Sequence, residues 1–312
     1  MNTSELHIPS NKVRDIEQYC LTELNGLYPE GEIGMFVRLL FEAFLGWDRT
    51  QLLMNRDRTV NQSDLLRFHW AVEDLKRYRP IQHIIGWTEF CGCRIEVNED
   101  TLIPRPETEE IVNHIINRFS PFTIGSSSSP ATAHHSPFTI LDLCTGSGCI
   151  AIALAKNLPN AEVTAVDISE KSLNVARRNT ELNNVKVNFV QADILSEFKI
   201  ENLKLKIEKS KFSIIISNPP YVMDKERGAM QPNVLDWEPA SALFVPDSDP
   251  LLFYRAIANL ATHLLADDGM LVLEINEQLG DETLHLFEEQ GFRGTIHSDF
   301  SGKPRMLCLQ KS

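Results

Sequence analysis

Asn218, Pro219, Pro220 and Tyr221 follow directly after the apolar run 212–217, and their types suggest chemistry on a planar group. A short run of β-branched residues with turn residues behind it predicts a buried strand. We therefore expect the tetrapeptide at the carboxyl end of a strand, where open α/β sheets bind ligands. Two prolines fix φ and remove two N–H groups, so carbonyl oxygens stand beside an aromatic ring. This frame suits an NH2 group, although an isolated copy could simply be a turn that ends a strand.

A strand over 138–143, a glycine-bearing turn over 144–148 and an amphipathic helix ending near Asn157 are predicted upstream of this tetrapeptide. Gly146 and Gly148 permit a tight turn and the close approach of a ligand to the backbone. The free N–H groups at the start of the helix favour polar or anionic ligand groups. This segment therefore predicts a cofactor site.

The next predicted strand, 161–166, ends at Asp167, where an acidic residue commonly accepts hydrogen bonds from a ribose diol. We expect the side chain of Asp167 to point at a ligand and to support few core contacts. The segment 146–151 alone satisfies a relaxed nicotinamide-dinucleotide fingerprint, which would indicate an oxidoreductase. Asp142 favours S-adenosylmethionine instead, because a carboxylate repels a pyrophosphate but accepts from an ammonium group.

A third predicted strand, 185–190, is followed by Asp193 and Ile194. A carboxylate with an apolar neighbour could bind an adenine amine and cover the adenine ring. Asp193 could equally be an ordinary cap of the next turn.

Three blocks of the sequence together resemble the peptide chain release factor glutamine methyltransferases, the HemK/PrmC family. They are Leu102–Glu109, Asp142–Gly148 and Asn218–Tyr221, and the similarity runs from about residue 10 to the end apart from one insertion. Supporting blocks are 80–86, 238–243 and 269–274. Asn-Pro-Pro-Tyr alone also occurs in methyltransferases that act on exocyclic amines of DNA or RNA, but its combination with Leu102–Glu109 is far more specific.

The resemblance implies an α/β fold: a Rossmann-like S-adenosylmethionine-dependent methyltransferase domain with a mostly parallel seven-stranded sheet. A small helical bundle would precede it, joined by a β-hairpin linker. The implied domains are 1–85 for the bundle and substrate recognition, 86–106 for the linker, and 107–312 for the catalytic domain. The implied activity is methylation of the side-chain amide nitrogen of a glutamine, in the GGQ motif of class I release factors.

The site residues divide into two groups. Catalysis is assigned to Asn218, Pro219 and Tyr221, and Pro220 joins them in binding the substrate. The predicted cofactor-binding residues are Asp142, Cys144, Thr145, Gly146, Ser147, Gly148, Asp167, Asp193, Ile194 and Asn218. We expect the Asn218 Oδ1 and the Pro219 carbonyl to accept both amide N–H bonds of the substrate. Tyr221 would stack on the amide, and no candidate base is recognised near the motif.

Cys144 departs from the family pattern, which has a glycine at the first position of this turn. Cysteine is small and often buried, so we expect the turn to survive. A positive φ would nevertheless be costly there. A reactive thiol is the less favoured interpretation, because the neighbouring sequence offers no cation to stabilise a thiolate.

The first eighty residues predict helices over 13–24, 33–45 and 63–78, from apolar positions at 3–4 spacing. Ser63 is the predicted N-cap of the third helix, and Pro80 is predicted to end it.

Residues 87–103 alternate as a hairpin-like linker with a predicted turn at 98–100. A helix is predicted from Pro106, whose first turn carries Glu107 and Glu109, as suits a helix N-terminus.

Residues 120–124 recur unchanged as 136–140, with a serine-rich stretch between the two copies. This pattern predicts a flexible surface insertion over 120–137.

The net charge of −13 disfavours DNA or RNA as a direct partner and favours a basic protein. The six cysteines lack paired metal spacing, so we expect reduced thiols, no metal and a cytoplasmic location. No apolar run reaches the ~18 residues of a membrane span, and the first residues do not resemble a signal peptide. We therefore expect no contact with membranes.

Overall fold

The computed structural model describes residues 8, 10–119, 138–196 and 211–312. The chain divides into two compact units, one of 1–86 with 231–237 and the other of 87–230 with 238–312. The predicted insertion at 120–137 lies outside the described residues. The predicted domain boundaries stay a prediction.

The first unit is helical, as the sequence predicts. Its helices are α1 Val13–Leu24, α2 Glu30–Leu45, α3 Arg49–Met54, α4 Gln62–Lys76 and α5 Ile81–Ile85, and the short α9 Pro232–Leu235 joins them from later in the chain. Their apolar faces form one core, in which the ring centroids of Phe41 and Phe68 lie 4.5 Å apart. Helix α2 begins three residues before the predicted start, because Glu30 and Glu32 are favourable in a first turn.

The predicted ends of α4 are wrong. Asn61 is its N-cap rather than Ser63, because the Asn61 side chain accepts from the N–H of Asp64 at 2.9 Å. The helix is already over at Tyr78, which has a φ of +59°. Pro80 instead precedes α5.

The second unit begins with an antiparallel hairpin of β1 Trp87–Phe90 and β2 Cys93–Glu96. Its two-residue turn is Cys91-Gly92, with φ values of +46° and +71°. Both residues have the positive φ that the tightest hairpin turns require. The prediction that 98–100 is the turn of the hairpin is therefore wrong. Asn98 and Asp100 form a separate local turn after β2.

The central sheet has seven strands in the part of the chain that the structure describes. They are β3 Phe138–Leu143, β4 Ala161–Asp167, β5 Asn188–Gln191, β6 Phe212–Ser217, β9 Leu265–Glu274, β10 Phe292–Ser298 and β11 Pro304–Lys311, in the order β10-β11-β9-β6-β3-β4-β5. A separate parallel pair, β7 Val222–Met223 with β8 Phe244–Val245, follows β6 in the chain. β11 runs antiparallel to its neighbours β9 and β10, and the other pairs in the sheet are parallel. The predicted Rossmann-like, mostly parallel sheet is confirmed.

Helices cover both faces of this sheet. They are α6 Pro106–Phe119, α7 Cys149–Asn157, α8 Glu170–Asn183, α10 Leu252–Leu264 and α11 Gly280–Glu289, and 3₁₀ turns lie at Asp224–Ala229 and Ala240–Ala242. Ile214 and Ile216 enter the core on one face, and Ile215 enters the core on the other. A strand buried on both faces is apolar throughout, which explains why β3 and β6 have the predicted bounds.

β5 starts at Asn188, later than predicted. Val185 takes part in the turn that closes the end of α8, since its N–H donates to the carbonyl of Thr180 at 3.1 Å. Among the described residues β5 pairs only with β4, which makes it an edge strand.

Asn179 on α8 joins three segments of the second unit and was missed by the sequence interpretation. Its side chain is fully buried and accepts from Glu96 N at 2.7 Å. It also donates to Glu96 O at 2.9 Å and to Ser147 O at 3.0 Å. One amide therefore fixes the hairpin and the glycine turn to the same helix.

We predict that Asn179→Ala lowers the free energy of unfolding by about 2–4 kcal/mol, because one buried and two partly buried backbone groups lose their partner. Asn183→Ala is the matched control. Asn183 makes the same pair of bonds to the Arg94 backbone, but Asn183 is only half-buried and these bonds are open to solvent, so its loss should cost less than about 1 kcal/mol. Urea unfolding of both variants measures the difference, and equal losses would contradict the role given to Asn179.

Candidate active site

Parallel strands of the sheet end at one edge, and four of them deliver a polar residue there. Leu143 lies level with Ser217, and Ser217 lies level with Leu273. Asn218 follows Ser217 in the chain, and Glu274 follows Leu273. Asp142 and Asp167 reach the same edge on β3 and β4. The structure thus brings the predicted catalytic and cofactor residues to one edge.

Asn218 begins a chain of hydrogen bonds that runs into the core. Its Nδ2 donates to Thr108 Oγ1 at 3.1 Å, and Thr108 Oγ1 donates to Glu274 Oε2 at 2.5 Å. Tyr221 OH donates to the other carboxylate oxygen, Oε1, at 2.8 Å. Thr108 and Glu274 are each only 2% exposed. Thr108 comes from the block 102–109, and Asn218 and Tyr221 come from the block 218–221. In the sequence analysis these two blocks were related only through the family resemblance.

The direction of these bonds fixes how the Asn218 amide is turned. An ionised carboxylate only accepts, so the Thr108 hydroxyl must donate to Glu274 and accept from Asn218. Asn218 Nδ2 therefore faces Thr108, and Oδ1 is left on the other side of the amide. Pro219 and Pro220 are buried, which holds the backbone of the motif in place.

Glu274 is a buried carboxylate close to the motif that the sequence analysis did not single out. Burial raises the pKa of Glu274, while the hydrogen bonds from Thr108 and Tyr221 lower it. The pKa of Tyr221 is raised by burial and by the Glu274 carboxylate, so its hydroxyl stays protonated. Because both carboxylate oxygens already accept from hydroxyls, Glu274 is a fixed charge beside the motif. It ends an apolar strand and gave no separate chemical signal in the sequence.

Tyr221 is held by two hydrogen bonds. Besides its hydroxyl bond to Glu274, its carbonyl accepts from Asn276 Nδ2 at 3.2 Å. Asn276 Nδ2 also donates to Glu226 Oε1 at 3.1 Å. The ring is therefore fixed at the edge of the site, and its stacking on a substrate amide stays a prediction.

Cys144 adopts the left-handed conformation, with a φ of +62°. This conformation costs a residue with a Cβ about 1–2 kcal/mol. The turn therefore forms with cysteine, but the cysteine lowers the stability of the turn relative to glycine. Burial raises the pKa of the Cys144 thiol, and the carboxylates of Asp167 and Asp142 act in the same direction. The thiol is therefore protonated, which argues against a reactive role.

Gly146 and Gly148 serve the turn in different ways. Both have positive φ, +55° and +80°. A Cβ on Gly148 would lie 2.9 Å from the Cβ of Ala176, so close packing also requires glycine there. A Cβ on Gly146 would meet no atom within 4 Å. The open side of the turn is therefore at Gly146.

Asp142 is a fully buried carboxylate behind this turn. Its Oδ2 accepts from Thr145 Oγ1 at 2.5 Å, whereas Oδ1 and the nearby Ser147 Oγ have no hydrogen-bond partner in the described part of the chain. Burial raises the pKa of Asp142 to about 7. Buried polar atoms without partners are costly, so a polar ligand group would stabilise them.

Asp167 supports the turn more than the sequence suggests. Its Oδ2 accepts from Gly146 N at 2.8 Å, and its Oδ1 accepts from Ser169 N at 2.9 Å. The expectation that Asp167 supports few contacts is therefore wrong. Burial raises its pKa, against the effect of these two bonds. Each oxygen keeps a lone pair for a ligand hydroxyl.

Asp193 caps the turn that follows it, since its Oδ1 accepts from Leu195 N at 2.9 Å. This matches the alternative that the sequence left open. Ile194 packs into the core of the second unit. Binding of adenine by these two residues stays a prediction.

Comparison with known proteins places this site in a family. Residues 131–235 match the methyltransferase small domain, and residues 31–86 match the PrmC N-terminal domain. The release factor glutamine methyltransferase of Flavobacterium psychrophilum is 44% identical over 91% of this chain and 94% of that protein. The enzyme of the same name from Bacteroides thetaiotaomicron is 39% identical over 95% of this chain and 99% of that protein. A solved methyltransferase from Pyrococcus furiosus has 20% identity and a TM-score of 0.46, over 70% of this chain and 88% of that one.

This chain belongs to the release factor glutamine methyltransferase family. The resemblance predicted from the three sequence blocks is confirmed, and so is the enzyme class, an S-adenosylmethionine-dependent methyltransferase. The cofactor predicted from Asp142, the glycine turn and Asp167 is the cofactor of this class.

The residues at the edge of the sheet fit S-adenosylmethionine. Asp142 Oδ1 is a buried acceptor for an ammonium group. The Gly146 turn is open, and the Asp167 oxygens retain capacity for a ribose diol. Assignment of individual residues to the cofactor remains a proposal.

Other groups are less suited to the described residues. No cluster of three or more His, Cys, Asp or Glu side chains among them is arranged to hold a metal ion. All six cysteines are free thiols. Within the described ranges, no helix has the length and apolar character to cross a membrane.

We predict that affinity for S-adenosylhomocysteine rises between about pH 6 and about pH 8, by at most about tenfold per pH unit. The pKa of Asp142 in the free protein is about 7, so the acid is protonated below that pH and cannot balance a ligand ammonium. Calorimetry across this range measures the trend. Asp142→Asn should bind weakly and lose the pH dependence, and a flat profile in the unaltered protein would remove Asp142 from the ammonium site.

We predict that Asp167→Ala weakens cofactor binding by about 1–3 kcal/mol and lowers the free energy of unfolding by about 1–2 kcal/mol. The second effect arises because Gly146 N and Ser169 N lose their acceptor. Calorimetry and urea unfolding measure the two terms separately, with Asp167→Asn as the control that keeps one acceptor oxygen. An alanine variant with normal cofactor affinity would exclude Asp167 from the site.

Proposed function

We propose that this protein transfers a methyl group from S-adenosylmethionine to the side-chain amide nitrogen of a glutamine in a class I peptide chain release factor. The observation that supports the proposal is the bond from Asn218 Nδ2 to Thr108, which leaves Oδ1 as the neutral acceptor that can face a substrate. The relatives named release factor glutamine methyltransferase support the choice of substrate. In this family the target is the glutamine of the GGQ motif.

An amide nitrogen is a weak nucleophile, because its lone pair is delocalised into the carbonyl. The Asn218 Oδ1 and the Pro219 carbonyl accept one N–H each, which fixes the nitrogen in line for transfer. The two prolines have no N–H of their own, so the frame offers only acceptors. Tyr221 covers one face of the flat amide.

Positive charge grows on the nitrogen during the transfer. When bound, S-adenosylmethionine supplies an electrophilic methyl group on a sulfonium. Glu274 stabilises the growing charge from within a dry part of the protein, where charges interact more strongly than in water. With the cofactor bound, the methyl group would pass from sulfur to the amide nitrogen, and the acidic N-methylated amide would then lose its proton to solvent.

The rival function is methylation of an exocyclic amine on DNA or RNA, because the same acceptors would hold any planar NH2. The net charge of −13 argues against a polyanionic substrate. We further propose that the protein acts in the cytoplasm and that the helical unit 1–86 helps to recognise the release factor.

Mass spectrometry of a release factor incubated with enzyme and S-adenosylmethionine tests the proposal. The expected result is one added methyl group on the glutamine side chain. A second sample with total RNA and sheared DNA serves as the comparison. Both samples are also incubated with S-adenosylmethionine that carries a labelled methyl group. Labelled methyl found in nucleic acid and not in protein would favour the rival function.

We predict that Asn218→Ala lowers kcat by roughly 10²–10³, the cost of one preorganised transition-state contact. Cofactor affinity should change far less, because the proline frame remains. Asn218→Asp keeps an acceptor but adds a charge and removes the donor to Thr108. A normal rate of glutamine methylation by the alanine variant would refute this mechanism.

We predict that Thr108→Val lowers kcat about tenfold, because Asn218 Nδ2 loses its acceptor and the amide is free to turn. Valine has nearly the shape of threonine, so packing should be kept. Thr108→Ser retains the hydroxyl and should restore most of the rate. If serine and valine variants are equally slow in single-turnover assays, the hydroxyl does not orient Asn218.

A further inference from the structure

Phe300 is a large apolar side chain that gains nothing from the fold. It lies in the turn between β10 and β11 and is 93% exposed. A phenylalanine stabilises a protein when its side chain is buried. Because Phe300 is exposed, its side chain contributes little to the stability of the fold. Single exposed apolar residues are common, and exposure alone would therefore indicate nothing.

The turn that carries Phe300 is tightly held. Asp299 is almost buried, and its Oδ1 accepts from Ser301 N at 2.8 Å and from Lys303 N at 3.0 Å. The backbone of Asp299 also accepts from Gly302 N and donates to Lys303 O, each at 2.9 Å. Gly302 has a φ of +80°, which suits glycine. The aromatic ring therefore projects from a fixed base, which lowers the entropy cost of binding a partner.

The turn that carries Phe300 is hydrogen-bonded to α6, the helix that carries Thr108. Phe300 N donates to the carboxylate of Glu110 at 3.1 Å, and Glu110 lies two residues after Thr108 on α6. β10 runs in the same direction as β9, because both are antiparallel to β11. The end of β10 therefore lies at the edge of the sheet where β9 delivers Glu274. Phe300 therefore lies at the same edge of the sheet as Asn218.

The charges around Phe300 are mostly negative. Lys303 and Arg305 are both paired with Glu277, at 2.8 Å and 3.4 Å, and Arg305 also lies 3.5 Å from Asp299, so two carboxylates balance these two cations. Glu110 contacts the turn itself. Further carboxylates at the same edge come from the first turns of α6 and α11, namely Glu107, Asp281 and Glu282. An apolar tip among carboxylates matches an apolar pocket that is flanked by Lys and Arg.

We propose that Phe300 is a docking anchor for the protein that carries the target glutamine, and that it inserts into an apolar, basic-rimmed pocket beside that glutamine. This inference rests on the proposed function. A nucleobase could also stack on an exposed ring, but the surrounding carboxylates repel a phosphate backbone. The anchor acts on binding of the substrate and not on the chemical step.

The test compares Phe300→Ala with the unaltered enzyme on a full-length class I release factor. We expect KM to rise at least about tenfold and kcat to change less than about twofold, as for loss of an interface hot spot that acts in binding only. Affinity for S-adenosylhomocysteine and the unfolding midpoint should be unchanged, because the side chain touches neither cofactor nor core. Phe300→Leu, which keeps an apolar tip, should recover much of the lost affinity.

Leu182→Ala is the matched control. Leu182 is an apolar side chain that is 48% exposed on the last turn of α8, where the crossover helix has returned to the opposite edge of the sheet. Its KM should match that of the unaltered enzyme. An equal rise in KM for both variants would overturn the inference, since the effect would then not be local.

The outcomes separate this inference from the proposed function. If the unaltered enzyme methylates the release factor and Phe300→Ala does so with the same KM, the anchor is wrong and the function stands. If the unaltered enzyme does not methylate the release factor, the function fails and the anchor fails with it. If Phe300→Ala instead loses binding to a single-stranded RNA oligonucleotide, the partner is a nucleic acid and the anchor is overturned.

Discussion

The active site depends on one buried carboxylate. Glu274 ends strand β9 and accepts from the hydroxyls of Thr108 and Tyr221. Ionised, it can only accept, and this direction passes through Thr108 to Asn218. A neutral side chain at position 274 could donate or accept a hydrogen bond. The Thr108 hydroxyl could then point either way, and the orientation of the Asn218 amide would no longer be fixed. The charge of an inaccessible group therefore decides which atom of an accessible one meets the substrate.

The cost of burying that carboxylate is offset by its surroundings. A buried charge without partners is strongly unfavourable, and two hydroxyl donors and the positive charge of Arg305 act against the effect of burial on the pKa of Glu274. Tyr254 OH also donates to the carbonyl of Glu274 at 3.2 Å, which fixes the backbone at the strand end. The same groups that stabilise the charge also hold it in one position.

Much of the fold follows from local patterns in the sequence. β3 and β6 are apolar runs flanked by turn residues, so both their position and their bounds were predictable. Cys91 was not, because cysteine is a rare turn residue and a left-handed φ at that position has no compositional signal. The contact between Thr108 and Glu274 joins residues 166 positions apart. Such a contact is set by the register of strands and helices, and periodicity within either segment contains no information about it.

Near its start, α6 has three consecutive residues with three different partners. Thr108 bonds to Glu274 inside the site, Glu109 accepts from Cys91 N in the hairpin turn, and Glu110 accepts from Phe300 N. Successive helical residues are rotated by about 100°, so a single inserted or deleted residue would turn all three side chains away from their partners at once. Residues 106–110 can therefore change in side-chain type one at a time, whereas their number is fixed by geometry.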